Sequence, residues 1–166
     1  MASATKKPQL IVFDLDYTLW PFWVDTHVTP PFRKDKKGDV VDSTGEKIRF
    51  YPETPSVLEY LHREGYKMAV ASRTGEIEGA NQLLQLFNWN RYFQYKEIYP
   101  GCKVKHFNQF KKKSGIDLED MLFFDDEHRN IRDLKAHGVV SILVQNGMTM
   151  KVVEEGLKVF STERKN

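Results

Sequence analysis

The stretch Leu10-Ile11-Val12-Phe13-Asp14-Leu15-Asp16-Tyr17-Thr18-Leu19 constrains the fold of this chain more than any other. Four apolar residues, two of them β-branched, run without interruption into a carboxylate, and a second carboxylate follows two positions on. A continuous apolar run, rather than an alternating one, predicts a strand covered on both faces of a parallel sheet. Such a strand delivers its last residues to the carboxyl edge of the sheet, where open α/β folds place their ligands. Asp14 and Asp16 cannot lie bare in a core, because an unpaired buried carboxylate costs several kcal/mol or more. They call for a cation, a hydrogen-bonding loop or water. The plainer alternative is an Asp-rich turn whose side chains bond local amides.

Downstream, extended and helical patterns alternate. Strands are expected at 66–71, ending at Ser72-Arg73-Thr74, at 96–99, at 121–124, ending in Asp125-Asp126, and at 139–144. Thr54-Pro55 predicts a helix start, an N-cap followed by proline at the first helical position. Val57, Leu58, Leu61 and His62 form one face of that helix, and Gly65 stops it. Further helices are expected at roughly 76–87, 104–113, 130–136 and 149–160. This order predicts a Rossmann-like, doubly wound α/β fold with a parallel sheet and right-handed crossovers.

Residues 20–51 interrupt the alternation and are longer than an ordinary βα connection. Segments 39–42 and 46–51 predict a small hairpin around Ser43-Thr44-Gly45, so the insert is expected to be a flap rather than a full cap. Its aromatics Trp20, Phe22, Trp23 and Phe32 either pack the flap onto the body or stack on an aryl substrate.

Length and composition limit the remaining choices. At 166 residues with 40% hydrophobic content, residues 1–166 are expected to form one domain with a core of ordinary size. A net charge of +2 gives no case for nucleic acid or a membrane surface as partner. The single cysteine, Cys102, permits no intramolecular disulfide, and the polar stretch 1–8 precedes an apolar run too short for a signal core or a span. A cytoplasmic protein is expected, with the nucleus also open.

In a parallel sheet the polar strand ends Asp14/Asp16, Ser72/Arg73 and Asp125/Asp126 share one edge. A hydroxyl and a forked guanidinium suit phosphate oxygens. Carboxylates from two strand ends suit a hard cation such as Mg²⁺, which keeps positions open for water and phosphate. Lys103, on the turn after the 96–99 strand, adds a point charge. It opens a basic set with Lys105, Lys111, Lys112 and Lys113 that reads as a solvated helix face, with attraction of acidic substrates as the alternative.

The order Asp-x-Asp, Ser, Lys, Asp-Asp resembles the haloacid dehalogenase-like phosphohydrolase superfamily, and within it the eukaryotic magnesium-dependent phosphatases. Phe13-Asp14-Leu15-Asp16-Tyr17-Thr18-Leu19 looks like the first motif, Ala71-Ser72-Arg73-Thr74 the second, Lys103 the third and Phe124-Asp125-Asp126-Glu127 the fourth. The likeness extends through Trp20-Pro21-Phe22-Trp23, Pro30-Pro31-Phe32 and Ile98-Tyr99-Pro100-Gly101. It implies a phosphatase working through an aspartyl-phosphate, with Asp14 as nucleophile and Asp16 as proton donor. Mg²⁺ would be held by the Asp14 side chain, the Asp16 backbone carbonyl and Asp126, with Asp125 in support. Ser72, Arg73 and Lys103 would bind the transferring phosphate. The implied partner is a phosphorylated small molecule or a phosphoprotein, including protein phosphotyrosine and sugar or glycated-amine phosphates, acted on by a monomer.

Several alternatives fit less well. A dehalogenase needs no acid two residues after its nucleophile, and a cysteine-based phosphatase needs arginine six residues after the thiolate, where Cys102 has Asn108. A phospho-acceptor signalling domain would carry its acids and lysine in a different strand order, and a phosphomutase usually carries a larger cap.

Overall fold

The computed structural model describes residues 6–163, so residues 1–5 of the polar N-terminal stretch lie outside it. Strand β1 (Leu10–Phe13) is completely buried and sits between β4 (Met68–Ser72) and β6 (Met121–Asp125), parallel to both. Phe93–Ile98 forms β5 and Val140–Leu143 forms β7, which gives a parallel five-stranded sheet in the order β5-β4-β1-β6-β7. The strand order reverses between β1 and β6, the crevice where such sheets bind ligands.

The period of two along each strand decides which layer it feeds. Ile11, Phe13, Val70, Leu122 and Phe124 face a core shared with α1 (Thr54–Arg63), α2 (Ile77–Leu86) and α5 (Met150–Glu163). Leu10, Val12, Ala69, Ala71 and Phe123 face a second core with α3 (Lys103–Ser114) and α4 (His128–Lys135). Both faces are covered, which is why β1 reads as an unbroken apolar run. Among the described residues no helix is long and apolar enough to cross a membrane.

Local details differ from the sequence expectations. In the insert β2 (Arg33–Lys34) pairs antiparallel with β3 (Val40–Val41), an arm that the sequence does not predict. The expected hairpin around Ser43-Thr44-Gly45 forms in short compass: Val41 bridges Lys47 antiparallel, the Asp42 amide donates to the Glu46 carbonyl at 2.9 Å and the Ile48 amide to the Val40 carbonyl at 2.8 Å. Asp42, 2% exposed, accepts hydrogen bonds from the Thr29, Thr44 and Glu46 amides and the Thr44 hydroxyl. Thr54 is the first residue of α1 rather than its cap. Glu53 occupies the cap position, and the Thr54 hydroxyl donates instead to the Leu19 carbonyl at 2.9 Å, tying the helix to the loop after β1. His62 faces solvent instead of the core.

Candidate active site

The loop after β1 turns at once. The Leu15 carbonyl accepts from the Thr18 and Leu19 amides, and Tyr17 adopts a left-handed backbone with φ of 58°. That reversal brings the Thr18 hydroxyl back to donate to Asp14 Oδ2 at 3.0 Å. The other Asp14 oxygen accepts from Lys103 Nζ at 2.8 Å, and the same ammonium reaches Asp125 Oδ2 at 2.6 Å. Lys103 is 1% exposed and is the first residue of α3, not a residue of a solvated turn. The other lysines of the basic set do lie on α3's outer side, where Lys111 and Lys113 pair with Asp117 and Glu97.

Asp125 is saturated from several directions. Its Oδ2 also accepts from Asn130 Nδ2 at 3.0 Å, and its Oδ1 accepts from the Glu127 amide at 2.9 Å. Asn130 passes the network on, its Oδ1 accepting from Arg73 Nη1 at 3.1 Å. Asp14, Asp125 and Asp126 bring carboxylate oxygens within 4.8 Å of one another. The Asp16 carboxylate stands outside this cluster: its Oδ1 accepts from Trp20 Nε1 at 2.8 Å and from the Val24 amide at 3.2 Å.

Burial, and then the charge of Asp125, pushes the Asp14 carboxyl well above the ordinary range, with Lys103 opposing. Asp16 is pushed up to about 7, again mainly by burial, with the Trp20 hydrogen bond opposing. Burial also pushes Asp126 up to about 6. For Lys103 burial works against the charge, but Asp125 and Asp14 reverse it and hold the ammonium protonated. One ammonium for three clustered carboxylates leaves a negative excess that suits a hard, oxygen-liganded cation.

The cluster opens into a cavity of about 250 Å³ bounded by Asp14, Asp16, Ser72, Arg73, Lys103 and Asp126, with Trp23, Asp25 and Thr26 at its mouth. Ser72 Oγ accepts from the Thr74 amide at 3.2 Å, so its own proton is available to the cavity. Of the four insert aromatics singled out in the sequence, Trp20, Phe22 and Phe32 belong to the core; only Trp23, 47% exposed, reaches the mouth, stacked on His27 at 5.0 Å.

The structure therefore brings Asp14, Asp16, Ser72, Arg73, Lys103, Asp125 and Asp126 to one sheet edge. Sequence reasoning missed Thr18, Asn130 and His106, and it did not foresee that Trp20 donates to Asp16. Thr18 sits inside the first motif and could have been found from its spacing of four from Asp14. Asn130 and His106 carry no such signal. His106, 0% exposed on α3, turns Nε2 toward the Ser72 carbonyl at 2.9 Å and the Tyr99 carbonyl at 2.8 Å. Burial holds its imidazole below the usual range.

Comparison with known proteins gives the family. The family model described as Acid Phosphatase matches residues 6–163. Magnesium-dependent phosphatase 1 of Homo sapiens is 56% identical over 154 residues, 93% of this chain and 88% of the human protein. A HAD-like hydrolase superfamily protein of Schizosaccharomyces pombe is 41% identical over 150 residues, 84% of this chain and 87% of that protein. In fold, the crystal structure of CbbY from Rhodobacter sphaeroides in complex with phosphate is similar with a TM-score of 0.60 at 14% identity, over 82% of this chain and 85% of that one. The chain thus belongs to the acid phosphatase family, as a haloacid dehalogenase-like phosphatase.

Proposed function

We propose that this chain hydrolyses phosphomonoesters through an aspartyl-phosphate on Asp14, with Mg²⁺ as cofactor. The observation that carries this reading is the Asp14–Asp125–Asp126 cluster closed by one buried ammonium, with the Asp16 carboxylate held apart from it. The Asp14 side chain, Asp126 and the Asp16 backbone carbonyl would hold the cation. Asp125 accepts from three protein donors, one more than Asp14, which favours Asp126 as the direct ligand and Asp125 as its support. Bound there, the cation reduces the repulsion between an anionic nucleophile and an anionic ester and offsets charge on the transferring oxygens.

The residues of the chain divide the remaining work. Thr18 and Lys103 orient Asp14 for attack on phosphorus, and that attack breaks the bond to the ester oxygen. Asp16 gives its proton to the departing oxygen and, as a carboxylate, then takes one from the water that hydrolyses the acyl phosphate. The Ser72 hydroxyl, the Lys103 ammonium and the Arg73 guanidinium hold the phosphoryl oxygens.

Trp23 supports an aryl phosphate as substrate, a phosphotyrosine side chain in a protein included, because it offers the exposed aromatic face at an open mouth. Asp25 and Thr26 beside it favour a second reading, a sugar or glycated-amine phosphate whose hydroxyl or amine groups they would bond.

Turnover of para-nitrophenyl phosphate tests the proposal. The native chain should hydrolyse it with Mg²⁺, lose that activity on chelation and regain it when Mg²⁺ is restored. Asp14→Asn should abolish hydrolysis while leaving the circular dichroism spectrum unchanged. Undiminished turnover by the folded variant contradicts the assignment of Asp14.

A further inference from the structure

His106 is a buried titratable side chain that the steps above leave unused. It lies on α3 one turn after Lys103, so both side chains leave the helix on the same side. Ser72 is the last residue of β4 paired with β5, opposite Ile98, and the Tyr99 amide closes the ladder on the Ser72 carbonyl at 3.0 Å. The His106 ring enters at this point. Its Nε2 faces the Ser72 and Tyr99 carbonyls at 2.9 and 2.8 Å, and Nδ1 faces the Cys102 carbonyl at 3.3 Å; none of the three has a proton to give, and the two shorter contacts assign the neutral ring's one proton to Nε2, shared between Ser72 and Tyr99. The Tyr99 ring stacks on the imidazole with centroids 4.2 Å apart and planes 13° apart.

We propose that His106 is a positioning residue: its shared ring N–H ties the end of β4 and the loop after β5 to the first turn of α3, and so fixes the Ser72 hydroxyl relative to the Lys103 ammonium. The proposal rests on the phosphatase reading of this site and adds to it the residue that sets the spacing of two phosphate-holding groups. Packing alone does not ask for this side chain. A leucine would occupy much of the same volume, yet the two carbonyls would lose a donor, and small displacements of phosphate-holding groups are costly to transition-state fit.

Two substitutions and one spectrum test it. His106→Leu removes the donor, whereas His106→Gln keeps a side-chain N–H in reach of the same carbonyls. With Mg²⁺ present, His106→Leu should weaken inhibition by inorganic phosphate about tenfold and raise KM for para-nitrophenyl phosphate in step, as expected for one lost buried donor. His106→Gln should recover most of both. In the metal-free native chain, ¹⁵N spectroscopy should show a neutral His106 ring carrying its proton on Nε2. The proposal is overturned if a folded His106→Leu protein keeps native phosphate inhibition, if His106→Gln is no better than His106→Leu at equal melting temperature, or if the proton sits on Nδ1. Should His106→Leu not fold, the glutamine variant decides, and native-like phosphate inhibition is then required of it. A native chain that neither binds phosphate nor hydrolyses the ester overturns the phosphatase reading itself, a result distinct from all of these.

Discussion

Asp14 and Asp16 are the same residue type two positions apart, and their surroundings give them different chemistry. Asp14 is gripped by Lys103 and Thr18 beside two further carboxylates, while Asp16 is turned toward an indole N–H and a backbone amide. Asp16, pushed up to about 7 by burial, holds its proton through most of the range below neutrality. Raising the pH through about 7 removes that proton, so the acid-assisted rate should fall on the alkaline side. An alkoxide needs the proton more than a phenoxide does. Asp16→Asn should therefore cost roughly 10²–10⁴-fold on an alkyl phosphate and clearly less on an aryl phosphate. Equal losses on the two esters, measured as kcat/KM at pH 6, would count against Asp16 as the acid. These acids were legible in the sequence because a strand end, a spacing of two and a later Asp-Asp pair are local patterns. Asn130 and His106 were not, because each acts through residues 57 and 34 positions away along the chain.

At the scale of elements, the strands and helices of the body follow from apolar runs and breakers, and the insert follows only in part. The pattern of β1 survives any context because both of its faces are covered. The pairing of 39–42 with 46–51 is legible and is short, while the further pairing of Val40–Val41 with Arg33–Lys34 and the gathering of the turn amides on Asp42 are not. An Asp as the hub of a turn looks in sequence like any polar loop residue. Thr54 shows the same limit, since a hydroxyl that fits a cap serves a tertiary contact to the Leu19 carbonyl instead. Helix α5 offers a test of packing at this scale. A Cβ added to Gly156 would stand 2.5 Å from Phe124 Cζ, so the helix lies against β6 at glycine distance. Overpacking there costs about 1–3 kcal/mol. The helix-propensity gain of alanine returns only about 1 kcal/mol. Gly156→Ala should lower the urea midpoint, and an unchanged or higher midpoint would show that α5 can move away freely.

For the molecule as a whole, the sheet order matters most. Reversal of strand order between β1 and β6 sets Asp14 next to Asp125, and the neighbouring β4 adds Ser72 to the same edge. The crossover through α3 then returns Lys103 to a position between the two acids, 89 residues from Asp14. An insert whose Trp20, Phe22, Phe32 and Ile48 join the main core leaves the mouth of the cavity open rather than roofed. In the proposed reaction phosphate passes through a covalent bond to Asp14. The most direct measurement is a single turnover with an aryl phosphate and Mg²⁺, quenched in acid and reduced with borohydride, with peptide mass spectrometry to locate the modified residue. Modification is expected at Asp14 and absent from Asp14→Asn. Phosphate release with Asp14 unmodified, or a label on Asp16, Asp125 or Asp126 instead, would contradict it.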